Sequence, residues 1–301
     1  MNALKVQGYW PATVTPFDAS GALRYDDFRR IVRWLVDGGA QGICIAGDNG
    51  ESWALTPDER GQLVREARAE VGQRVPLVLG ASAATTRQSI AYAEIAAREG
   101  ADGILLMPPT YVLKATRAEL VAHFRKVGAA VPLPIIAYNS PRRAGIALSV
   151  DDLAAIVDVA PIVGLKESTR DFAHLSEVIR RLGERIAIMT GPASFVLPGI
   201  ALGAHGFISS GPELLGSLAS RLMTLGKAAP GSEYRQAHYA MTRVYEGLMS
   251  LGTWPAALKA GVNLMGQPGG VPRDPVQPLS DDARDRLAAL LREIGAPVVA
   301  P

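Results

Sequence analysis

Cysteine is almost absent from this chain: Cys44 stands alone among 301 residues. One thiol forms no intrachain bridge, so packing has to hold the fold, and a reducing cytoplasm is the expected setting. Histidine is scarce too. His123, His174, His205 and His238 are scattered, none paired at a zinc-binding spacing, and no metal is expected. The net charge is only +2, without the clustered Lys and Arg of a nucleic-acid face. No segment approaches the roughly 20 consecutive apolar residues that span a bilayer. The stretch from Met1 to Trp10 lacks the basic-then-apolar pattern of a secretory signal. Neither a nucleic-acid nor a membrane partner is expected.

Hydrophobic residues make up 48% and charged residues 20%, enough apolar surface for a sizeable core. Short apolar runs alternate with segments of helical period. The runs are 12–15, 42–46, 76–80, 103–107, 134–138, 162–166, 185–189 and 206–209, mostly continuous and bounded by Gly or Pro, as buried parallel strands read. Between them Phe28, Ile31, Val32, Leu35 and Val36 share one helical face, and Phe172, Leu175, Val178, Ile179 and Leu182 repeat the pattern. Thr56-Pro57 followed by Asp58 and Glu59 reads as an N-cap with proline at the first helical position. Gly38-Gly39, Gly100 and Gly203 read as helix stops.

Eight strand–helix repeats predict a closed (β/α)8 TIM barrel over residues 1–226. A doubly wound open sheet is the structural rival, and the lack of an excess strand favours closure. A turn-rich linker at 228–232 leads into helical segments at 233–251, 255–263 and 281–294. Residues 227–301 are therefore expected to form a C-terminal helical extension packed on the barrel.

Barrel active sites lie at the C-terminal ends of the strands. That rule gathers Gly47-Asp48-Asn49-Gly50-Glu51-Ser52, Pro108-Pro109-Thr110-Tyr111, Tyr138-Asn139-Ser140-Pro141 with Arg142 and Arg143, and Lys166-Glu167-Ser168-Thr169 at one mouth. Lys166 ends an apolar strand, and taking an ammonium out of water favours the neutral amine that attacks carbonyls. The competing assignment is a structural ion pair, for instance with Glu167. Tyr138 ends the neighbouring strand, where a phenol can relay protons beside an imine; taken alone, an aromatic closing the core is the commoner role. The glycine-flanked turn offers backbone N–H groups to a carboxylate.

In combination these motifs resemble the dihydrodipicolinate synthase and N-acetylneuraminate lyase family of pyruvate-dependent class I aldolases. The resemblance runs through Pro11-Ala12-Thr13-Val14-Thr15-Pro16-Phe17, Gly50-Glu51-Ser52, Tyr138-Asn139-Ser140-Pro141, Gly164-Leu165-Lys166-Glu167-Ser168 and Ala201-Leu202-Gly203-Ala204-His205-Gly206. It implies a lyase in which Lys166 forms the imine and Tyr138 relays protons, with no cofactor beyond that covalent imine. It implies that Arg143 binds a second substrate's carboxylate, where the rival role is a solvated loop charge. Tyr111 resembles the tyrosine that reaches into a neighbouring subunit's site, and a homotetramer or homodimer is expected. Asn49, Gly50 and Ile208 join Arg143 as expected substrate-binding residues.

The chain departs from the family at Asp48-Asn49, where Thr-Thr or Ser-Thr is usual. In the family the second of these binds the pyruvate carboxylate and the first joins the proton relay. Asn49 is expected to keep the binding role through its backbone N–H and side-chain amide. Asp48 beside a 2-oxo acid is repulsive unless protonated or turned towards Tyr138 or a cation. Two substrate classes follow. Arg143 favours a synthase that condenses pyruvate with a carboxylate-bearing aldehyde. Asp48 favours an aldolase or dehydratase for 2-keto-3-deoxy sugar acids, with Asp48 accepting from Tyr138 or a substrate hydroxyl. A barrel that only senses a 2-oxo acid is the alternative of another class.

Overall fold

The computed structural model describes residues 4–112 and 114–299. Eight strands form one parallel sheet: β1 (Gly8–Tyr9), β2 (Ile43–Ile45), β3 (Leu77–Gly80), β4 (Gly103–Leu106), β5 (Ile135–Asn139), β6 (Ile162–Glu167), β7 (Ala187–Thr190) and β8 (Gly206–Phe207). From β2 to β8 each pairs with its sequence neighbour, and β8 returns to β1. The last seam, between β1 and β2, is closed by backbone bonds rather than a full ladder. Gln41 N donates to Tyr9 O at 2.8 Å, Cys44 N to Pro11 O at 3.0 Å and Thr13 N to Cys44 O at 2.9 Å. The chain is a (β/α)8 barrel with further helices at its C-terminal end.

The first strand lies earlier than the 12–15 run. Pro11 has no N–H to give a ladder, so regular pairing stops at Tyr9, and within the 12–15 run the single bridge Ala12 to Cys44 remains. The other seven strands fall on their predicted runs within two residues.

Alternation along the strands separates two cores. Ile43, Ile45, Leu77, Leu79, Ile104, Leu106, Ile135 and Leu165 point outward beneath the helices. Cys44, Val78, Leu105, Ile136, Tyr138, Met189 and Ile208 fill the barrel interior with Trp10 and Val6. Strands buried on both faces read as unbroken apolar runs for this reason.

The outer ring is α1 (Tyr25–Asp37), α2 (Pro57–Val71), α3 (Thr86–Glu99), α4 (Arg117–Ala130), the single turn α5 (Pro141–Ala144), α6 (Val150–Val157), α7 (Phe172–Leu182), α8 (Val196–Ala201) and α9 (Leu218–Lys227). The cap read at Thr56 forms a full capping box with Glu59 and has proline in the first turn. Three more helices follow: α10 (Ser232–Ser250), α11 (Ala256–Leu264) and α12 (Asp281–Glu293). Met241, Val244 and Leu248 form the buried stripe of α10, which packs on α9, α12 and the turn at Ala193–Phe195 after β7.

Candidate active site

Most of the residues singled out at the strand ends converge on one cavity, with Gly50 and Tyr111 outside its lining. Asp48, Asn49, Tyr138, Arg143, Lys166 and Ile208 all line it, with Ser140, Arg142 and Ser168 from the same strand ends. Lys166 and Tyr138 are a register pair across β5 and β6, so both project into the barrel. Lys166 Nζ stands 4.3 Å from the Tyr138 ring centroid. Lys166 is 6% exposed and Tyr138 equally so, leaving only their tips open to the cavity. Cys44 lies beneath them, and burial pushes its thiol up to about 12, so it stays neutral and gives the lysine no counter-charge.

The ion pair between Lys166 and Glu167 does not form. Glu167 is the next residue along the strand and therefore points the other way, paired in register with Asn139. Its carboxylate accepts from Asn139 Nδ2 at 2.9 Å and Thr169 N at 2.7 Å, and faces His174 Nε2 at 3.4 Å. That contact raises the His174 pKa. Among the described residues no carboxylate pairs with Lys166, and no residue hydrogen-bonds the Tyr138 hydroxyl.

The turn after β2 is strained and heavily braced. Ala46 (φ 50) and Glu51 (φ 54) both hold left-handed backbone, a conformation that costs a non-glycine residue about 1 kcal/mol or more. Thr15 Oγ1 donates to Gly50 O at 2.8 Å, and a Cβ on Gly50 would come within 3.1 Å of Thr13 O, a contact tight enough that the neighbouring backbone would have to give. The backbone N–H groups of Asp48, Asn49 and Gly50 find no acceptor among the described residues, the arrangement a carboxylate can use.

Asn49 departs from its expected role in one respect. Its amide Nδ2 donates to Ala12 O at 2.9 Å and its Oδ1 accepts from Ser210 Oγ at 3.0 Å, so the side chain is committed to the scaffold. The backbone N–H is what it has to offer a ligand. Asp48 and Arg143, which the sequence presents as rival guides, meet: Arg143 Nε donates to Asp48 Oδ2 at 2.9 Å. Asp48 has turned to a cation, and no bond joins it to Tyr138. Tyr111 is outside this cavity, 92% exposed and at φ 72.

A buried ion pair ties the same turn to the C-terminal helices. Glu51 meets Lys259 of α11, both side chains at most 1% exposed. Lys259 Nζ also donates to Val271 O at 2.6 Å, and Arg273 N donates to the other Glu51 oxygen at 2.8 Å. Burial lowers the Lys259 pKa to about 8 against the pull of Glu51. Removing one partner strands the other charge, so Lys259→Met should destabilise the protein by about 3–5 kcal/mol. The Glu51→Gln/Lys259→Met double variant should recover part of that loss in a denaturant titration; strictly additive losses would deny the coupling.

Sequence reasoning missed one wall. Tyr245 and Met249, one turn apart on α10, line the cavity with Trp254, Arg170 and Pro192. The signal was present as a second stripe beside the apolar face of α10, but a helix pattern does not say which part of a barrel it will cover.

Comparison with known proteins identifies the family. The model of the dihydrodipicolinate synthetase family matches residues 5–294. The chain belongs to the dihydrodipicolinate synthetase family. It is 35% identical to an uncharacterized DapA-like lyase of Halobacterium salinarum over 98% of this chain and 96% of that one. It is 33% identical to the 4-hydroxy-tetrahydrodipicolinate synthase of Synechococcus elongatus over 94% and 95% of the two chains. Among solved structures it resembles dihydrodipicolinate synthase from Acinetobacter baumannii complexed with pyruvate, with TM-score 0.91, 27% identity, and 97% and 100% of the chains covered. Dihydrodipicolinate synthase from Aquifex aeolicus gives TM-score 0.91 at 29% identity, covering 98% and 100%. This member of the family is a lyase. Among its described residues no helix is long and apolar enough to cross a membrane.

Proposed function

We propose that this lyase joins the Lys166 amine to the carbonyl carbon of pyruvate or another 2-oxo acid and makes or breaks a carbon–carbon or carbon–oxygen bond beside the imine. The supporting observation is Lys166 itself: a nearly buried amine with no carboxylate partner among the described residues, facing an open cavity beside Tyr138. The free amine adds to the carbonyl, water leaves, and the resulting iminium draws electrons from the neighbouring carbon. The substrate carboxylate is assigned to the N–H groups of the 48–50 turn, and proton transfer to Tyr138. The chemistry needs no dissociable cofactor. Exposed Tyr111 fits a role towards a neighbouring subunit of the expected homotetramer or homodimer.

The Asp48–Arg143 pair bears on the second substrate. An acceptor that brings its own carboxylate to Arg143 competes with Asp48, which already matches the guanidinium charge from 2.9 Å away and repels a second carboxylate. A hydroxyl has no such competitor: it donates to the free Asp48 oxygen and accepts from the remaining guanidinium N–H groups. A 2-keto-3-deoxy sugar acid, cleaved or dehydrated, fits the pair better than aspartate semialdehyde does. The test is kcat/KM for both substrate types in the native enzyme and in Asp48→Thr. Sugar-acid turnover should dominate natively. The variant should move the ratio towards the anionic aldehyde by about 10–100-fold, the worth of one hydrogen bond to a charged group. Efficient native condensation with aspartate semialdehyde and silence towards every sugar acid would sink this assignment.

A further inference from the structure

Behind the 48–50 turn stands a positive charge that no carboxylate answers. Arg60, in the first turn of α2, is among the largest fully buried side chains of the molecule. A buried charge is ordinarily paired, because taking it out of water is costly. Among the described residues Arg60 has no acidic partner. The two carboxylates close to it in sequence are taken, Glu51 by Lys259 and Glu59 by Arg273. Burial lowers the Arg60 pKa, yet a guanidinium keeps its proton in proteins.

What Arg60 does hold is backbone. Its Nη1 donates to Gly80 O at 2.8 Å and its Nη2 to Ser52 O, while the guanidinium carbon lies 4.0 Å from the Tyr92 ring centroid. Its Nε is buried without a partner. Ser52 closes the turn, its N–H returning to Gly47 O at 3.1 Å. Gly80 ends β3 and presses on the turn's entrance, where a Cβ would come within 2.1 Å of Ala46 O. One planar fork thus grips both sides of a turn whose ends, Ala46 and Glu51, hold left-handed backbone. Two carbonyls and a ring direct the guanidinium without neutralising it.

The N–H groups of Asp48, Asn49 and Gly50 that find no acceptor belong to this same turn. Arg60 does not line the cavity. It reaches a ligand through the turn and through its field, which a poorly solvated interior screens weakly. We propose that Arg60 is the positioning residue of the 48–50 turn: its fork sets the N–H geometry, and its uncompensated charge makes the turn select an anion. This role rests on assigning the substrate carboxylate to that turn. An anion seated there supplies the counter-charge that the folded chain withholds, so binding recovers part of the cost of burying Arg60.

The experiment compares pyruvate with pyruvamide, which offers the same ketone without the charge. The readout is the concentration of each that gives half-maximal borohydride label on Lys166. The native protein should need less pyruvate than pyruvamide. Arg60→Gln is neutral but still donates to one carbonyl; in it that preference should shrink by about 10-fold, with pyruvamide labelling moved less. Arg60→Lys keeps the charge and should keep most of the preference, although loss of the fork lowers its thermal midpoint. A merely structural arginine would weaken both ligands alike. Tyr92→Glu supplies the same test if Arg60→Gln does not fold, since a carboxylate beside the guanidinium should cancel its charge and reduce the preference with the fork retained. A preference that survives intact in the folded neutralised variant, or falls equally in Arg60→Lys and Arg60→Gln, overturns the role of Arg60. A native protein that labels equally with both ligands overturns the assignment of the carboxylate to the turn instead. One that labels with neither overturns the Schiff-base reading.

Discussion

Lys166→Ala should fold, bind no borohydride-trappable 2-oxo acid, and lose turnover by at least about 10⁴-fold, the scale on which losing a covalent nucleophile is felt. Folding should survive because Lys166 holds nothing together: Glu167 faces away into Asn139 and Thr169, and no carboxylate among the described residues depends on the lysine. Replacing a 6% exposed, unpaired amine by a methyl group removes a burden as well as some contacts. The thermal midpoint should therefore move little. In the native protein, pyruvate plus borohydride should add one reduced pyruvyl group to the peptide containing Lys166. Lys259 is the control within the same molecule, since it is as deeply buried but occupied by Glu51 and Val271 O. Label on Lys259, or on any lysine other than Lys166, would end the assignment. So would a Lys166→Ala protein that still turns over.

The two lysines show where sequence reading reaches and where it stops. Lys166 was legible because an apolar run ending in lysine is unusual and because barrel strand ends converge. Its freedom was not, since period-two alternation had to be combined with the true strand register to send Glu167 to the opposite face. Asp48 and Arg143 are 95 residues apart, and each read alone points to a different substrate. Only closure of the barrel brings them to 2.9 Å, where they become one neutral pair. The early position of β1 followed from Pro11, a residue visible in the sequence whose effect depends on which N–H the ladder needs. The α10 wall was least legible. Its helix was readable from periodicity, but docking Tyr245 and Met249 over the barrel mouth is a tertiary choice that local pattern does not encode.

Tyr138→Phe should keep imine trapping and lose turnover by about 10²–10⁴-fold, the range for a missing acid/base group. The argument turns on the hydroxyl alone. The ring is part of the barrel interior with Ile136, Leu105 and Met189, and phenylalanine preserves that packing. The hydroxyl has no hydrogen-bond partner among the described residues and belongs to a residue lining the cavity, so its deletion strands no protein group. A purely structural tyrosine would thus be nearly silent on both stability and rate. The register pairing with Lys166 puts the phenol beside the atom where water is lost and regained. Loss should appear in kcat, with KM shifted less, because proton transfer is completed only in the transition state. Solvent-isotope exchange at the carbon next to the imine gives an independent reading, and it should slow in step with turnover. If Tyr138→Phe turns over and exchanges at the native rate, the ring is core packing and another group moves the proton. The remaining candidate on the cavity wall is then Asp48, whose second oxygen is not used by Arg143 Nε. An Asp48→Ala variant, which unlike Asp48→Thr leaves no hydroxyl to stand in, would show it directly, as a loss of exchange on every substrate instead of a change of preference among them.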